Sequence, residues 1–338
     1  MPRPAMRVIV IGASSGGVRA LRALVAELPA DIGAAILIVV HVAPSGLGLL
    51  PEILSRASSL PCVHPNTGQA VQSGHIYIAP PDFHMLIDAE RRIRLSHGTK
   101  ENRTRPAIDP LFRSAALAFG SEVIGVVLTG HLDDGTAGLF AIKECGGIAI
   151  VQDPTDAEVP SMPATAAQHV PLDFRVALSE LPRLLVRLTK ESIVREQRVM
   201  PDNLKIETRI LEDPEEFSRE VTKIGDPSLL TCPECHGTLL KVRDQPIARF
   251  RCHTGHGFSA QYLLEGLDVE TEEAIWSAVR TLQEGVMLRE HLAQHAQDAG
   301  REDEAGALRE AARKQLERAK TLRSVLVRAE PTSAERYR

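Results

Sequence analysis

Residues 8–17 read Val-Ile-Val-Ile-Gly-Ala-Ser-Ser-Gly-Gly. A short β-branched run, fit for a buried parallel strand, breaks there into a turn of small residues. A helical pattern follows from Val18 to Leu28. Ser14 and Ser15 occupy the turn, at the carboxyl end of the strand and the amino end of the helix. An α/β sheet presents its chemistry at such a place, because main-chain N–H groups and the positive end of the helix dipole both point there. Two chemistries fit the turn: a phosphate cradle for a nucleotide, or a seat for a nucleophilic serine.

Other strand-like runs bear on that choice. Residues 35–40 (Ala-Ile-Leu-Ile-Val-Val) are followed at once by His41. Residues 123–128 (Val-Ile-Gly-Val-Val-Leu) are followed by Thr-Gly-His-Leu-Asp-Asp-Gly at 129–135. The carboxyl ends of parallel strands share one edge, so serine, histidine and aspartate from three strand ends would gather on one rim. Those are the parts of a nucleophile, a general base and an orienting carboxylate. The chain order is Ser, His, Asp, and a triad is defined by geometry and role rather than order. A histidine and an aspartate at strand ends are ordinarily solvated loop residues, and position alone favours that reading over a triad.

The same residues carry a resemblance. Gly12-Ala13-Ser14-Ser15-Gly16-Gly17, His41-Val42-Ala43-Pro44 and the stretch Gly74 to Pro81 resemble the chemotaxis receptor methylesterase (CheB-type) family. Arg105 to Phe112, Thr129 to Gly135, Gln152-Asp153-Pro154 and Met162-Pro163 continue the match in the family's order, over about residues 5–190. The resemblance implies that Ser14 is the nucleophile, His41 the catalytic histidine and Asp134 the catalytic carboxylate, with Asp133 the rival for that role. Ser15 stands where the family has a hydroxyl residue beside the nucleophile, and its N–H is a natural oxyanion donor. The family commonly has Met after Thr-Gly, whereas this chain has His131. A main-chain donor there survives the change, while a second imidazole on the rim could compete as base.

The activity implied is hydrolysis of glutamate methyl esters on chemoreceptor-type proteins through an acyl-enzyme, with deamidation of glutamine as a second use of the same intermediate. The alternative is an inactive CheB-like adaptor that binds receptors or a response regulator, against which the intact trio argues. Gly-Ala-Ser-Ser-Gly also resembles the opening of short-chain dehydrogenases. That reading needs a tyrosine with a lysine four residues on, and Tyr77, Tyr262 and Tyr337 all lack one.

At 338 residues, 43% hydrophobic and 25% charged, the chain has room for about two domains. A formal net charge of −5 offers no broad basic surface for nucleic acid or anionic lipid. No apolar stretch is long enough for a signal region or a membrane span, so the expected location is the cytoplasm, without membrane insertion. Cys62 and Cys145 are expected to be buried thiols.

The other three cysteines cluster. Cys232-Pro-Glu-Cys235 and Cys252-His-Thr-Gly-His256 give C-x2-C-x16-C-x3-H, with strand-like residues 238–242 and 247–250 between. This is zinc-ribbon spacing. Cys232, Cys235, Cys252 and His256 are the expected ligands, with His253 and His236 as alternates for the fourth. Four side-chain ligands would make the zinc structural, and catalysis needs no cofactor. Beyond it, residues 268–298 and 302–328 carry helical periodicity around a turn at Ala299-Gly300.

The expected fold class is therefore α/β: a doubly wound, mostly parallel sheet flanked by helices, then a small zinc ribbon and an α-helical hairpin. The expected domains are a catalytic domain at 1–190, a linker at 191–229, a ribbon-like module at 230–265, a hairpin at 266–328 and a disordered tail at 329–338. The best-known members of the family it resembles carry a receiver domain ahead of the catalytic domain, and this chain is expected to lack one. Three cases are then expected: control by a separate response regulator, control by the extension, or no regulation. The hairpin is a candidate surface for partners or for homo-oligomers.

Overall fold

The β-branched runs form the middle of a seven-stranded parallel sheet. The computed structural model describes residues 6–191, 202–212, 222–243 and 245–328. Strand β1 (Arg7–Ala13) leads through helix α1 (Gly17–Ala26) to β2 (Ala34–Val40), α2 (Leu50–Ser55), β3 (Cys62–Val63) and β4 (Ile76–Ile78). A small hairpin, β5 (His84–Ile87) and β6 (Ile93–Ser96), interrupts the alternation. Then come α3 (Ile108–Phe119), β7 (Val123–Val127), α4 (Thr136–Glu144), β8 (Ile148–Gln152), α5 (Ser161–His169), β9 (Phe174–Val176) and α6 (Leu181–Lys190). The sheet runs β3-β4-β2-β1-β7-β8-β9, every pair parallel.

Both faces of the sheet are covered, so every residue of β1, β2 and β7 is buried. Val8 and Val10 share a core with Leu111, Phe112 and Leu139 of α3 and α4. Ile9 and Ile11 face the other way, into a core with Leu21, Leu24 and Leu185 of α1 and α6. Full burial of each such side chain is worth about 1.5–3 kcal/mol, which is why the runs read as continuous apolar stretches. The chain moves outward from β1 to β2 on one side and returns to β7 on the other. The crevice outside β1 and β7 is thus the switch point where such sheets bind ligands.

The first compact unit does not stop at the sheet but runs to Leu263. Within the stretch expected as a linker, α7 (Asp202–Glu212) is a helix. Strands β10 (Gly225–Thr231), β11 (Thr238–Val242), β12 (Arg249–Cys252) and β13 (Gly257–Ser259) form an antiparallel sheet in that order. The two expected strands are its middle pair. β10 is mostly exposed and shows no alternation, so nothing in its sequence marks it.

A buried ion cluster ties this small sheet to the large one. The Glu101 carboxylate accepts from Arg113 of α3 at 2.6 Å and from Arg251 of β12 at 2.7 Å. Glu207 of α7 accepts from Arg249 at 2.9 Å and from Arg251 at 3.0 Å. All five residues are buried. Burial by itself pushes Glu101 up, but Arg113, Arg251 and Arg249 outweigh it and hold the carboxyl below its ordinary range.

The second unit, from Leu264 onward, is a helical hairpin. Its helices are α8 (Ala260–Asp298, whose first residues belong to the first unit) and α9 (Glu302–Arg328). They are joined at Gly300, whose φ of +73° suits glycine. Val279, Val286 and Ala293 on α8 and Ala305, Ala312 and Ala319 on α9 are buried at seven-residue intervals, a heptad seam of mostly small residues. α8 begins at Ala260, ahead of the expected start, because Tyr262 and Leu263 are buried within the first unit. Residues 192–201, 213–221 and 329–338, which hold parts of the expected linker and the whole expected tail, lie outside the described residues. Among the described residues no helix is long and apolar enough to cross a membrane.

Removing one member of the ion cluster strands the others in a dry interior, at about 3–5 kcal/mol. Glu101→Ala should lower the denaturant midpoint of the full chain accordingly. The depressed Glu101 contributes stability that is fully present above the unfolded-state pKa of about 4.3 and is lost as pH falls toward the folded one. Acid titration of the wild type should show that loss below pH ~4.3, and Glu101→Ala should weaken its slope.

Candidate active site

Three strand ends assemble the rim. β1 and β2 finish in register at Ala13 and Val40, and the His41 N–H donates to the Ala13 carbonyl at 3.2 Å. On the other side the Ser14 N–H donates to the Thr129 carbonyl at 3.0 Å, just beyond β7. Ser14 is half-buried and Ser15 exposed. Gly16 then adopts φ +76° at the mouth of α1, a left-handed geometry that a Cβ would strain and that would also drive it to 2.8 Å from Glu158. The Ser15 N–H has no partner among the described residues and lies at that helix mouth.

The 129–131 loop closes over the serine. A Cβ added at Gly130 would lie 2.8 Å from the Ser14 Cβ and 2.6 Å from the Met162 methyl, so only glycine permits this approach. The Thr129 hydroxyl donates to the Ser15 carbonyl at 2.9 Å, and Gly130 bonds Val159 and Met162 through its main chain. His131 is half-buried in this loop.

His41 Nε2 lies 2.7 Å from Asp134 Oδ2. A carboxylate only accepts, so Nε2 carries the proton and Nδ1 is the nitrogen left to act as base. The carboxylate therefore meets the Nε2 side of the ring, the reverse of the serine-protease arrangement, where it meets Nδ1.

Asp134 is fully buried and accepts four further hydrogen bonds. Ile108 N–H at 2.7 Å and Asp109 N–H at 3.3 Å come from the first turn of α3, whose orphan donors and positive dipole end both favour an anion. Gly135 N–H adds one at 2.9 Å and Asn102 Nδ2 another at 3.0 Å. Burial pushes Asp134 up, but the bond from His41 and these donors bring it below its ordinary value. Asp133 points elsewhere. It accepts from Ser259 Oγ at 2.6 Å, and burial pushes it up to about 6. Of the two adjacent aspartates, Asp134 is the one that meets His41.

Asp109 is the other consequence of this burial. Burial first, and the Asp134 charge second, push its carboxyl up to about 7. Neither Asp109 nor Asn102 was readable as a site residue. Asp109 sits inside a quoted motif with no role attached, and Asn102 lies in the aperiodic segment 97–105, where nothing signals proximity to a residue 32 positions away.

The CheB methylesterase family profile matches residues 9–185, just over half of the 338 residues. The chain belongs to the CheB methylesterase family. A Leptospira interrogans protein, provisionally named protein-glutamate methylesterase/protein-glutamine glutaminase, is 37% identical over 190 residues, covering 56% of this chain and 97% of its own. Proteins of that name from Chromohalobacter salexigens and, with the suffix 2, Methanosarcina mazei are 38% and 36% identical over 57% and 54% of this chain, which spans only 55% and 52% of their length. The crystal structure of the Thermotoga maritima CheB methylesterase catalytic domain aligns with a TM-score of 0.53 and 33% identity, over 55% of this chain and all of that one. The family is one of carboxylic ester hydrolases.

A second cluster lies on the small sheet. One ligand atom each from Cys232, Cys235, Cys252 and His256 falls within 4.8 Å of the others. Cys235 and Cys252 sulfurs are 3.7 Å apart, and His256 Nδ1 is 3.5 Å from the Cys252 sulfur and 3.8 Å from that of Cys232. A tetrahedron with ~2.3 Å Zn–S bonds has edges of about 3.8 Å, so the quartet fits a soft tetrahedral ion. His253 and His236 are exposed and outside this quartet.

Asp109 supplies a pH prediction. A carboxyl whose folded pKa is raised favours the fold at low pH, and that contribution is lost as pH rises through about 7. The wild-type melting temperature should therefore decline from pH ~4 to ~7 on this account and level off above. Asp109→Asn, which keeps an acceptor for the Gly138 N–H, should flatten that decline.

Proposed function

We propose that this chain is a protein-glutamate methylesterase with Ser14 as nucleophile, His41 as general base and Asp134 as the carboxylate that orients it. The observation that carries the reading is the 2.7 Å bond between His41 Nε2 and buried Asp134, on the same sheet edge as the Ser14 turn. His41 Nδ1 takes the Ser14 proton as the hydroxyl attacks a glutamate methyl ester carbonyl. Nε2–H stays in place, and the imidazolium that forms is stabilised by Asp134. The Ser15 N–H and the main chain around His131 are the candidate donors to the tetrahedral oxyanion, each worth about 3–4 kcal/mol in such sites. His41 then protonates the departing methoxide and methanol leaves. Water, activated by the same nitrogen, hydrolyses the acyl-enzyme to a glutamate carboxylate. With glutamine as substrate the acyl-enzyme is identical and ammonia leaves, in keeping with the double name its relatives bear. None of these steps requires a cofactor.

CheB-family methylesterases act on methylated chemoreceptors, and such a receptor is the substrate proposed here. A separate response regulator is the proposed regulator. The hairpin, with Trp276, Met287 and Leu288 exposed, is the part proposed to meet a protein partner or a second copy. The quartet of Cys232, Cys235, Cys252 and His256 is proposed to hold one structural zinc in a ribbon, with no coordination position left for water. When bound, that ion would cross-link the two knuckles and take no part in the acyl transfer.

Two measurements test these readings. Release of methanol from a radiomethyl-labelled receptor fragment should vanish with Ser14→Ala, persist at a reduced rate with Ser15→Ala, and vanish almost as fully with His41→Ala. The double variant should add little, since such groups act as a unit. Survival of activity in Ser14→Ala would remove the nucleophile from the proposal. Elemental analysis should find one zinc per chain in the wild type and none in Cys232→Ser or Cys252→Ser.

A further inference from the structure

The small sheet is built into the support of the catalytic carboxylate. Asn102 is buried and its amide spans two modules. Nδ2 donates to Asp134 Oδ1 at 3.0 Å, and Oδ1 accepts the main-chain N–H of Ser259, in β13, at 2.9 Å. The sense of both bonds is fixed, since a carboxylate can only accept and an N–H can only donate, so one amide orientation serves both. Main-chain pairing holds the junction: the Asn102 N–H donates to the Gly257 carbonyl at 2.8 Å, and Glu101 bridges Gly257 in parallel. A second strut runs from Ser259 Oγ to Asp133, the neighbour of Asp134, at 2.6 Å.

β13 starts at the residue after His256, a member of the Cys/His quartet. A continuous path of short bonds therefore runs from that quartet through Gly257–Ser259 to Asn102, then to Asp134 and His41. Between its two half-buried histidine ends the path has few alternatives, because Gly257–Ser259, Asn102 and Asp134 are all buried. We infer that Asn102 is a positioning residue and that strand β13 of the C-terminal sheet sets the orientation of Asp134, making the docked Cys/His module a determinant of turnover. The inference rests on the proposed catalytic trio.

Asn102→Ala removes the strut at Asp134, and Asn102→Asp replaces a donor by a second carboxylate beside a buried one. Misplacement of a catalytic group by a fraction of an ångström to an ångström costs about 10- to 100-fold. In the 338-residue, zinc-loaded chain, kcat for methanol release from the labelled receptor fragment should fall by about that factor in Asn102→Ala, with KM changed less than about twofold. Ser259→Ala keeps its main-chain N–H and strand, loses only the hydroxyl strut, and should lower kcat by about 3- to 10-fold with KM likewise unchanged. Combined with Asn102→Ala it should cost less than the product of the two, since both act on one carboxylate. Metal content should match the wild type in Ser259→Ala.

An unchanged kcat in Ser259→Ala would overturn the inference. So would a loss in Asn102→Ala that appears only in KM, or losses that multiply in the double variant. Ser259→Ala carries the test on its own if Asn102→Ala does not fold. If Ser14→Ala is inactive while these variants are silent, only this inference fails. If Ser14→Ala is active, the trio itself is wrong.

Discussion

Asp134 is a carboxylate with no access to water, and a buried charge is tolerated only when hydrogen bonds and opposite charge replace its hydration. The local architecture follows from that requirement. Helix α3 aims its first turn at the oxygens, Gly135 turns back onto them, Asn102 reaches across from the 97–105 segment, and His41 completes the set. Burial first, and the neighbouring Asp134 charge second, push Asp109 on the same turn up to about 7, since the site accommodates one negative charge more easily than two. The His41 imidazole is thus hydrogen-bonded to a group that cannot itself move far.

The family match ends at residue 185, while the compact unit continues to Leu263. The difference is chemical as well as topological. Arg249 and Arg251 of β12 neutralise Glu101, which belongs to the matched region, and Glu207 of α7 closes the cluster. Neither side buries these charges satisfactorily without the other. The small sheet therefore belongs to this protein's first unit, whereas the heptad hairpin beyond Leu264 forms a unit of its own.

Such integration lets an added module influence a site it does not enter. A tethered domain acts by docking or recruitment, and its effect follows the length of its tether. A module welded by main-chain pairing and buried ion pairs acts through the positions of the residues it holds. In this chain the welded segment is Lys100–Asn102, which pairs with Gly257 and carries both the amide at Asp134 and one of the two carboxylates of the ion cluster, Glu101.

Much of this is legible in the residues alone. Parallel strands buried on two faces must be continuously apolar, so 8–11, 35–40 and 123–127 declared the sheet, and the glycine-serine turn after the first declared the rim. Ligand spacing marked the Cys/His quartet, since two knuckles need their cysteines at short intervals. What the sequence could not carry is whatever depends on partners distant along the chain. Asn102 to Asp134, Ser259 to Asp133 and Arg251 to Glu101 are separated by 32, 126 and 150 positions, and no local period records such pairings. Which of Asp133 and Asp134 meets His41 was also undecidable locally, because neighbouring carboxylates look alike until a fold turns one toward the imidazole and the other toward β13.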